Sequence, residues 1–150
     1  MVWVLLAVGV IAGAPALVVL IGSLLPKAHV ASRMALINRS PEEIWLVVTD
    51  YEDQASWRTD LRRVARLPDR GGHQVWEETD GRGQALMFET VESISPRRLV
   101  RRIANEDLAF GGSWTYEIGQ YGEVTSLTIT EDGEVYNPVF RFVSRFIVGH

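Results

Sequence analysis

The 150-residue sequence predicts an α+β domain: a curved antiparallel sheet of about seven strands, with helices near its start and its end, preceded by an uncharged N-terminal segment. Three observations carry this. Residues 1–26 hold no charged side chain, and Lys27 opens a chain that is charged from there onward. Between Leu61 and Asp132 lie six short strand-like segments divided by hairpin-length turns, the texture of an antiparallel meander. Two helix starts with strong capping signals, at Ser40 and Asn137, flank that run.

The N-terminal run Val2–Leu25 is long enough to cross a bilayer, whose hydrocarbon core of ~30 Å needs ~20 apolar residues as a helix. Residues 1–26 are therefore expected to form a single-pass transmembrane anchor, and 27–150 a domain of its own. A cleaved secretory signal is the competing reading, but no Lys or Arg precedes the run, and Leu24-Leu25-Pro26-Lys27 is a poor cleavage site. Lys27, Arg33 and Arg39 follow the segment and no charged side chain precedes it, which places the domain on the cytoplasmic side. Gly9 and Gly13 have the spacing of a helix-dimerisation motif, without fixing an oligomeric state.

The remainder has the length of one domain. The net charge of −4 falls wholly within it, and Lys27 is the only lysine. That balance argues against nucleic-acid binding, which calls for a basic surface. His29–Ile37 alternates loosely and reads as a strand. Ser40-Pro41-Glu42-Glu43 gives a cap, a first-turn proline and a capping box, and Ile44, Val47, Val48 and Tyr51 follow on one helical face. Asp53–Trp57 reads as a second short helical turn. The six strands are expected at 61–67, 74–79, 84–94, 97–104, 113–118 and 123–130. Asn137 and Pro138 start a last helix whose Val139, Phe142, Val143, Phe146 and Ile147 form an apolar stripe, with Arg141, Ser144 and Arg145 opposite. A strongly curved sheet with a helix against it would enclose a cavity.

Chemistry-bearing motifs are sparse. Cysteine is absent, and His29, His73 and His150 lie far apart in sequence, so no metal site or nucleophilic triad is expected and no cofactor is implied. Glu77, Glu78, Glu89 and Glu117 fall within strands, where one face of each would line the cavity; a buried one could act as general acid or base. Arg98 with Arg102, and Arg97 with Arg101, share faces at period two and read as a salt-laced convex surface. Trp57, Trp76, Phe88, Trp114 and Tyr116 are spread along the segments that would line the concave face, and Phe142 would face them from the last helix. These six are the candidate ligand-binding residues; the competing reading, that they simply fill the core, is the weightier one for each, and in such a fold the two roles often fall on the same residue. Leu108 and Phe110 would sit in a loop able to gate the cavity.

The order of elements, with Ser40-Pro41-Glu42-Glu43-Ile44-Trp45, the Asp50–Arg58 passage with Tyr51 and Trp57, Ser95-Pro96-Arg97-Arg98-Leu99-Val100, and Thr130–Val135 followed by Asn137-Pro138, resembles the START-like helix-grip (SRPBCC) superfamily, in particular its polyketide cyclase/dehydrase-type branch. The resemblance covers about residues 28–150. It implies a helix-grip fold: the sheet wrapped on the C-terminal helix, with a cavity for an apolar small molecule between them. Family members usually continue that helix past the point reached here, so either the cavity is less covered than usual or the chain is cut short. A membrane-anchored binder of a lipid, quinone or polyketide-like molecule is the function implied. The alternatives are a cyclase, dehydratase or hydrolase using a pocket Glu with Tyr116 as donor, and a structural or assembly domain with a filled interior.

Overall fold

A computed structural model of the chain describes residues 15–148. A first helix, α1, covers the described residues 15–24, and the rest of the proposed anchor lies outside the described residues. Among the described residues no helix is long and apolar enough to cross a membrane. From there the order is β1 (Ala28–Ile37), α2 (Pro41–Thr49), α3 (Gln54–Trp57), β2 (Leu61–Arg70), β3 (His73–Asp80), β4 (Ala85–Ile94), β5 (Arg98–Ile103), β6 (Phe110–Tyr121), β7 (Val124–Val135) and α4 (Pro138–Val143), followed by a π-helical turn at Ser144–Val148. The strands form one curved, seven-stranded antiparallel sheet in the order β1-β7-β6-β5-β4-β3-β2. Only β1 leaves its sequence position, pairing with β7. A curved seven-stranded antiparallel sheet with a C-terminal helix fits the helix-grip fold that the resemblance implies.

The described residues fall into two compact units. The larger comprises residues 30–108 and 112–132. Its helix α2 starts as its sequence dictates: Ser40 Oγ accepts from the Glu43 amide, and the Glu43 carboxylate accepts from the Ser40 amide at 2.8 Å. That reciprocal bonding holds the Glu43 carboxyl below its ordinary range. The helix turns Ile44, Trp45, Val48 and the following Tyr51 inward. Tyr51, Trp76 and Leu99 form the centre of the core, with Trp45, Val48, Val64 and Tyr116 packed around them. Strand register builds this cluster. Trp76 stands opposite Phe88, and Leu99 opposite Tyr116, so all four project from one face of the sheet.

The opposite face carries an ion-pair ladder. Arg98 bonds Glu92 at 3.1 Å and Glu117 at 2.7 Å, and Arg102 bonds Glu89 at 3.0 Å. The expected arginine row is thus present for Arg98 and Arg102. It is not for Arg101, which alternation sends to the inner face, where it is 3% exposed.

The smaller unit comprises residues 15–29, 109–111 and 133–148. Asn137 caps α4 as expected, its Oδ1 accepting from the Val139 and Phe140 amides at 2.8 and 3.2 Å. The expected apolar stripe is not sealed from solvent: Val139, Phe146 and Ile147 are exposed, while Arg141 is 6% exposed. Two causes are visible. The α-helix lasts six residues before the π-helical turn, so spacing by three and four no longer keeps one face. Arg141 is also engaged, since Nη1 donates to the Leu25 carbonyl at 2.9 Å and Nη2 to the Tyr136 carbonyl at 3.5 Å. Carbonyls at the end of a helix lack partners within it, and a basic side chain is a common donor to them. Phe110, expected in a loop, begins β6 and stacks on Phe140 at 6.2 Å instead of guarding a cavity mouth.

Leu99 is fully buried, so Leu99→Ala should lower stability by about 2–5 kcal/mol, the usual cost of such a core truncation. Arg102→Ala, three residues along on the ladder, should cost less, about 1 kcal/mol, because the Arg102 side chain is itself more than half exposed even though its partner Glu89 is only 12% exposed. Chemical denaturation of the two variants checks the contrast.

Candidate functional site

Within the larger unit, α2 and α3 stand off the inner face of the sheet and leave a cavity of about 890 Å³. Ile44, Leu46, Val47 and Val48 of α2 form one wall. Phe88, Trp114, Tyr116, Leu127 and Ile129 of β4, β6 and β7 form the other. Trp57 and Arg58, at the end of α3, line it further, and Ile37, Arg39 and Glu43 complete it where β1 passes into α2. Leu46, Val47 and Trp57 are more than half exposed and so lie toward the opening. Phe88 and Trp114 meet edge to face at 5.5 Å, an arrangement aromatic rings favour.

Four of the six sequence-predicted ligand residues, Trp57, Phe88, Trp114 and Tyr116, line this cavity. Trp76 does not. Its ring is covered by Tyr51 at 5.2 Å and has the Arg66 guanidinium 5.3 Å from its centre, which makes it part of the core. Phe142 belongs to the smaller unit, where it packs on Phe146 at 4.9 Å, and is not among the lining residues; the cavity expected between the sheet and the C-terminal helix is instead walled by α2 and α3, and no residue of α4 lines it. Among the described residues no group of three or more His, Cys, Asp or Glu side chains is placed to hold a metal ion.

The cavity also holds a charged cluster that the sequence reading did not assemble. Glu78, 5% exposed, accepts from Arg101 Nη1 at 2.6 Å through one oxygen and from Arg58 Nη1 at 3.1 Å through the other. Arg58 continues to Gln54 Oε1 at 3.1 Å and grips Asp60 with two bonds, at 2.7 and 3.3 Å. Buried Gln54 in turn donates to the Val48 carbonyl at 3.4 Å. The Arg101 guanidinium is held between two rings, 4.4 Å from the centre of Tyr51 and 4.8 Å from that of Phe88, both within cation–π range. Its Nε and Nη2 have no hydrogen-bond partner among the described residues. A buried donor left so costs about 1–3 kcal/mol.

Sequence signals for two of these residues did exist. Arg101 alternates with Leu99 and Ile103, and Glu78 with Trp76, so each has apolar company at period two and belongs on the inner face. Of the four strand glutamates, Glu78 is the one brought into the cavity, while Glu89 and Glu117 serve the outer ladder.

Protonation follows from these contacts. Burial by itself would lower the Arg58 pKa, but the bond to Asp60 and the charges of Glu78 and Asp60 outweigh it, so the net shift is upward. The Arg58 bond holds the Asp60 carboxyl below its ordinary value, against partial desolvation. The Tyr116 phenol is pushed above 10.0, chiefly by burial; Arg101 and Arg58 oppose this, and Glu78 and Tyr51 add to it.

Two outcomes are expected. Glu78→Ala strips the shared carboxylate from two guanidiniums, one of them fully buried, and should cost about 3–5 kcal/mol by thermal or chemical unfolding. For Tyr116, the folded state keeps the proton to higher pH than the unfolded chain does. Above about pH 10 the unfolded state therefore binds fewer protons, and stability falls as pH rises through that range. Melting temperatures measured from neutral pH to pH 11 should fall less steeply at the alkaline end for Tyr116→Phe than for the unmodified protein.

Comparison with solved structures agrees with the architecture. A START superfamily protein from Mycobacterium smegmatis superposes with a TM-score of 0.60 at 18% identity, over 71% of this chain and 77% of that one. The Zhui aromatase/cyclase from Streptomyces sp. R1128 gives 0.59 at 17% identity, over 72% and 68%. Norcoclaurine synthase from Thalictrum flavum gives 0.63 at 12%, over 80% and 77%. At such identities the likeness is one of fold. No curated protein matches the chain in sequence. Residues 28–149, which include every strand of the sheet and all the lining of the cavity, match the family described as polyketide cyclase / dehydrase and lipid transport, and the chain belongs to that family.

Proposed function

We propose that the domain binds an apolar small molecule, of lipid, quinone or polyketide-like character, in the cavity between α2, α3 and the sheet. One observation carries the reading: a space of about 890 Å³ whose walls are mostly aliphatic and aromatic and whose few polar groups are gathered in one cluster. Ligand sites are commonly concave and apolar, of some ~300–1,000 Å³, with a small number of placed polar groups. A purely structural role would call for a filled interior, and the volume speaks against it. The family's description names both chemistry on polyketides and lipid transport, which fits an apolar ligand without choosing between carriage and reaction.

A second reading, catalysis on the same kind of ligand, is favoured by one specific feature. Arg58, Glu78, Arg101 and Tyr116 all line the cavity, and the Tyr116 phenol feels the other three charges. Two of the superposed structures are a named aromatase/cyclase and a named synthase. Glu78 has both oxygens engaged by guanidiniums, which suits it to position the arginines more than to shuttle a proton; Tyr116 is the better donor in this reading.

A membrane anchor at residues 2–25, with the domain on the cytoplasmic side, is the remaining part of the proposal. It rests on the uncharged stretch and on Lys27, Arg33 and Arg39 after it. Tethering would raise the local concentration of the domain near membrane-dissolved ligands without any new contact.

Native mass spectrometry of the detergent-purified full chain should show a co-purifying small molecule, and a quinone probe should quench tryptophan fluorescence saturably. Trp114→Ala should weaken that quenching while the domain stays folded. Failure of every apolar probe to bind a folded protein would sink the reading, and release of the chain from membranes by carbonate would sink the anchor alone.

A further inference from the structure

In the smaller unit the usual distribution of polar and apolar side chains is reversed. Helix α1 is apolar on every face save for Ser23, whose hydroxyl donates back to the Val19 carbonyl at 2.7 Å. Val18, Ile21, Gly22 and Leu25 share one face at helical spacing and are covered or partly covered. Gly22 lies so close to α4 that a Cβ there would run into the Pro138 carbonyl. A second face, made by Leu17, Leu20 and Leu24, is more than half exposed. A helix that is apolar all round belongs in a protein core or in lipid, and protein covers only one side of this one.

The C-terminal segment shows the same reversal. Arg141 is buried, with Nη1 on the Leu25 carbonyl at 2.9 Å, whereas Val139, Phe140, Phe146 and Ile147 are exposed. Cations at membrane depth behave in this way, facing the protein and pairing with backbone carbonyls. The unit is also basic: Lys27, Arg141 and Arg145 stand against Glu134 alone, in a chain of net charge −4. Residues 1–14, ahead of α1, add no charged side chain. A second copy would set these basic groups against their own kind, while an anionic headgroup layer complements them.

We propose that a lipid bilayer covers the outer surface of this unit, and that α4 and the π-helical turn lie at the headgroup–acyl boundary beside the end of α1, with Phe146 and Ile147 in lipid. The proposal rests on the anchor proposed for residues 2–25 and adds a C-terminal element to it. At six and five residues, α4 and the turn fall far short of the ~20 needed to cross, so their contact is interfacial. Arg141 is here a positioning residue that ties α4 to α1.

The chain has no cysteine, so single cysteines can each carry an environment-sensitive NBD fluorophore without a competing thiol. Ile147→Cys, Leu24→Cys and Arg82→Cys, all at exposed positions, are labelled in the full chain. Each is reconstituted into phosphatidylcholine/phosphatidylglycerol vesicles with and without doxyl-labelled phosphatidylcholine. Labels at Ile147→Cys and Leu24→Cys should shift to the blue and lose most of their emission to the doxyl lipid. The label at Arg82→Cys, on the turn between β3 and β4, should stay water-like. An Ile147→Cys label that stays water-like while the Leu24→Cys label is quenched overturns the C-terminal contact and leaves the anchor standing. A blue-shifted Ile147→Cys label that doxyl lipid does not quench lies against protein, and overturns the bilayer as occupant. Quenching at Arg82→Cys as strong as at Ile147→Cys overturns the proposal too, since the contact then does not belong to this surface. Quenching at neither Leu24→Cys nor Ile147→Cys overturns both the contact and the anchor.

Discussion

Burial of the Glu78 carboxylate between the guanidiniums of Arg101 and Arg58 is the constraint around which the larger unit is arranged. Charges leave water only at a cost of several kcal/mol each, and mutual attraction offsets this only where geometry is good and the remaining hydrogen-bonding groups are satisfied. Much of the surrounding structure supplies that geometry. Strands β3 and β5 deliver Glu78 and Arg101 to the same face, Tyr51 and Phe88 hold the Arg101 plane, and α3 brings Gln54 and Arg58 from the far side. The core of Tyr51, Trp76 and Leu99 fixes the distance between α2 and the sheet at which these contacts form.

The same arrangement explains why the interior is hollow where it is. On one side of the cluster, Trp76, Tyr51 and Leu99 pack tightly; on the other, α2 presents the shorter Leu46, Val47 and Val48 across from Phe88, Trp114 and Leu127, and these do not fill the gap. A cavity with a polar cluster set among apolar walls follows from this. An orienting group for a ligand is worth more in such a place than at a surface, because a hydrogen bond in low dielectric is electrostatically stronger. Arg101 contributes to the fold through its buried bond to Glu78.

The two faces of the sheet put similar residues to different uses. On the outer face, Arg98 pairs with Glu92 and Glu117 at the surface and exposed Arg102 with the less exposed Glu89, and such surface bridges are each worth little. On the inner face, one Glu and two Arg become a fold-determining cluster. The chemistry of the pairs is the same, and burial alone separates them.

The sequence by itself determined the order of elements, both capped helix starts, the strand meander and the family resemblance, because capping boxes, turn residues and period-two alternation act over a few residues and are written locally. It also indicated Trp57, Phe88, Trp114 and Tyr116 as candidates for the cavity, since aromatic residues recur along the segments expected to line the concave face. Only the tertiary structure decided that Trp76 is core, since that depended on Tyr51 from α2 covering its ring. Only the tertiary structure brought Arg58 to Glu78, twenty residues away, and Arg101 to the same carboxylate from a third segment. Arg141 shows the same limit from the other direction: helical spacing put it on the solvated side, and a carbonyl more than a hundred residues earlier in the chain drew it in. Pairing between distant segments depends on register and on which side chain finds a partner after the backbone is placed, and neither is encoded in any short window of sequence.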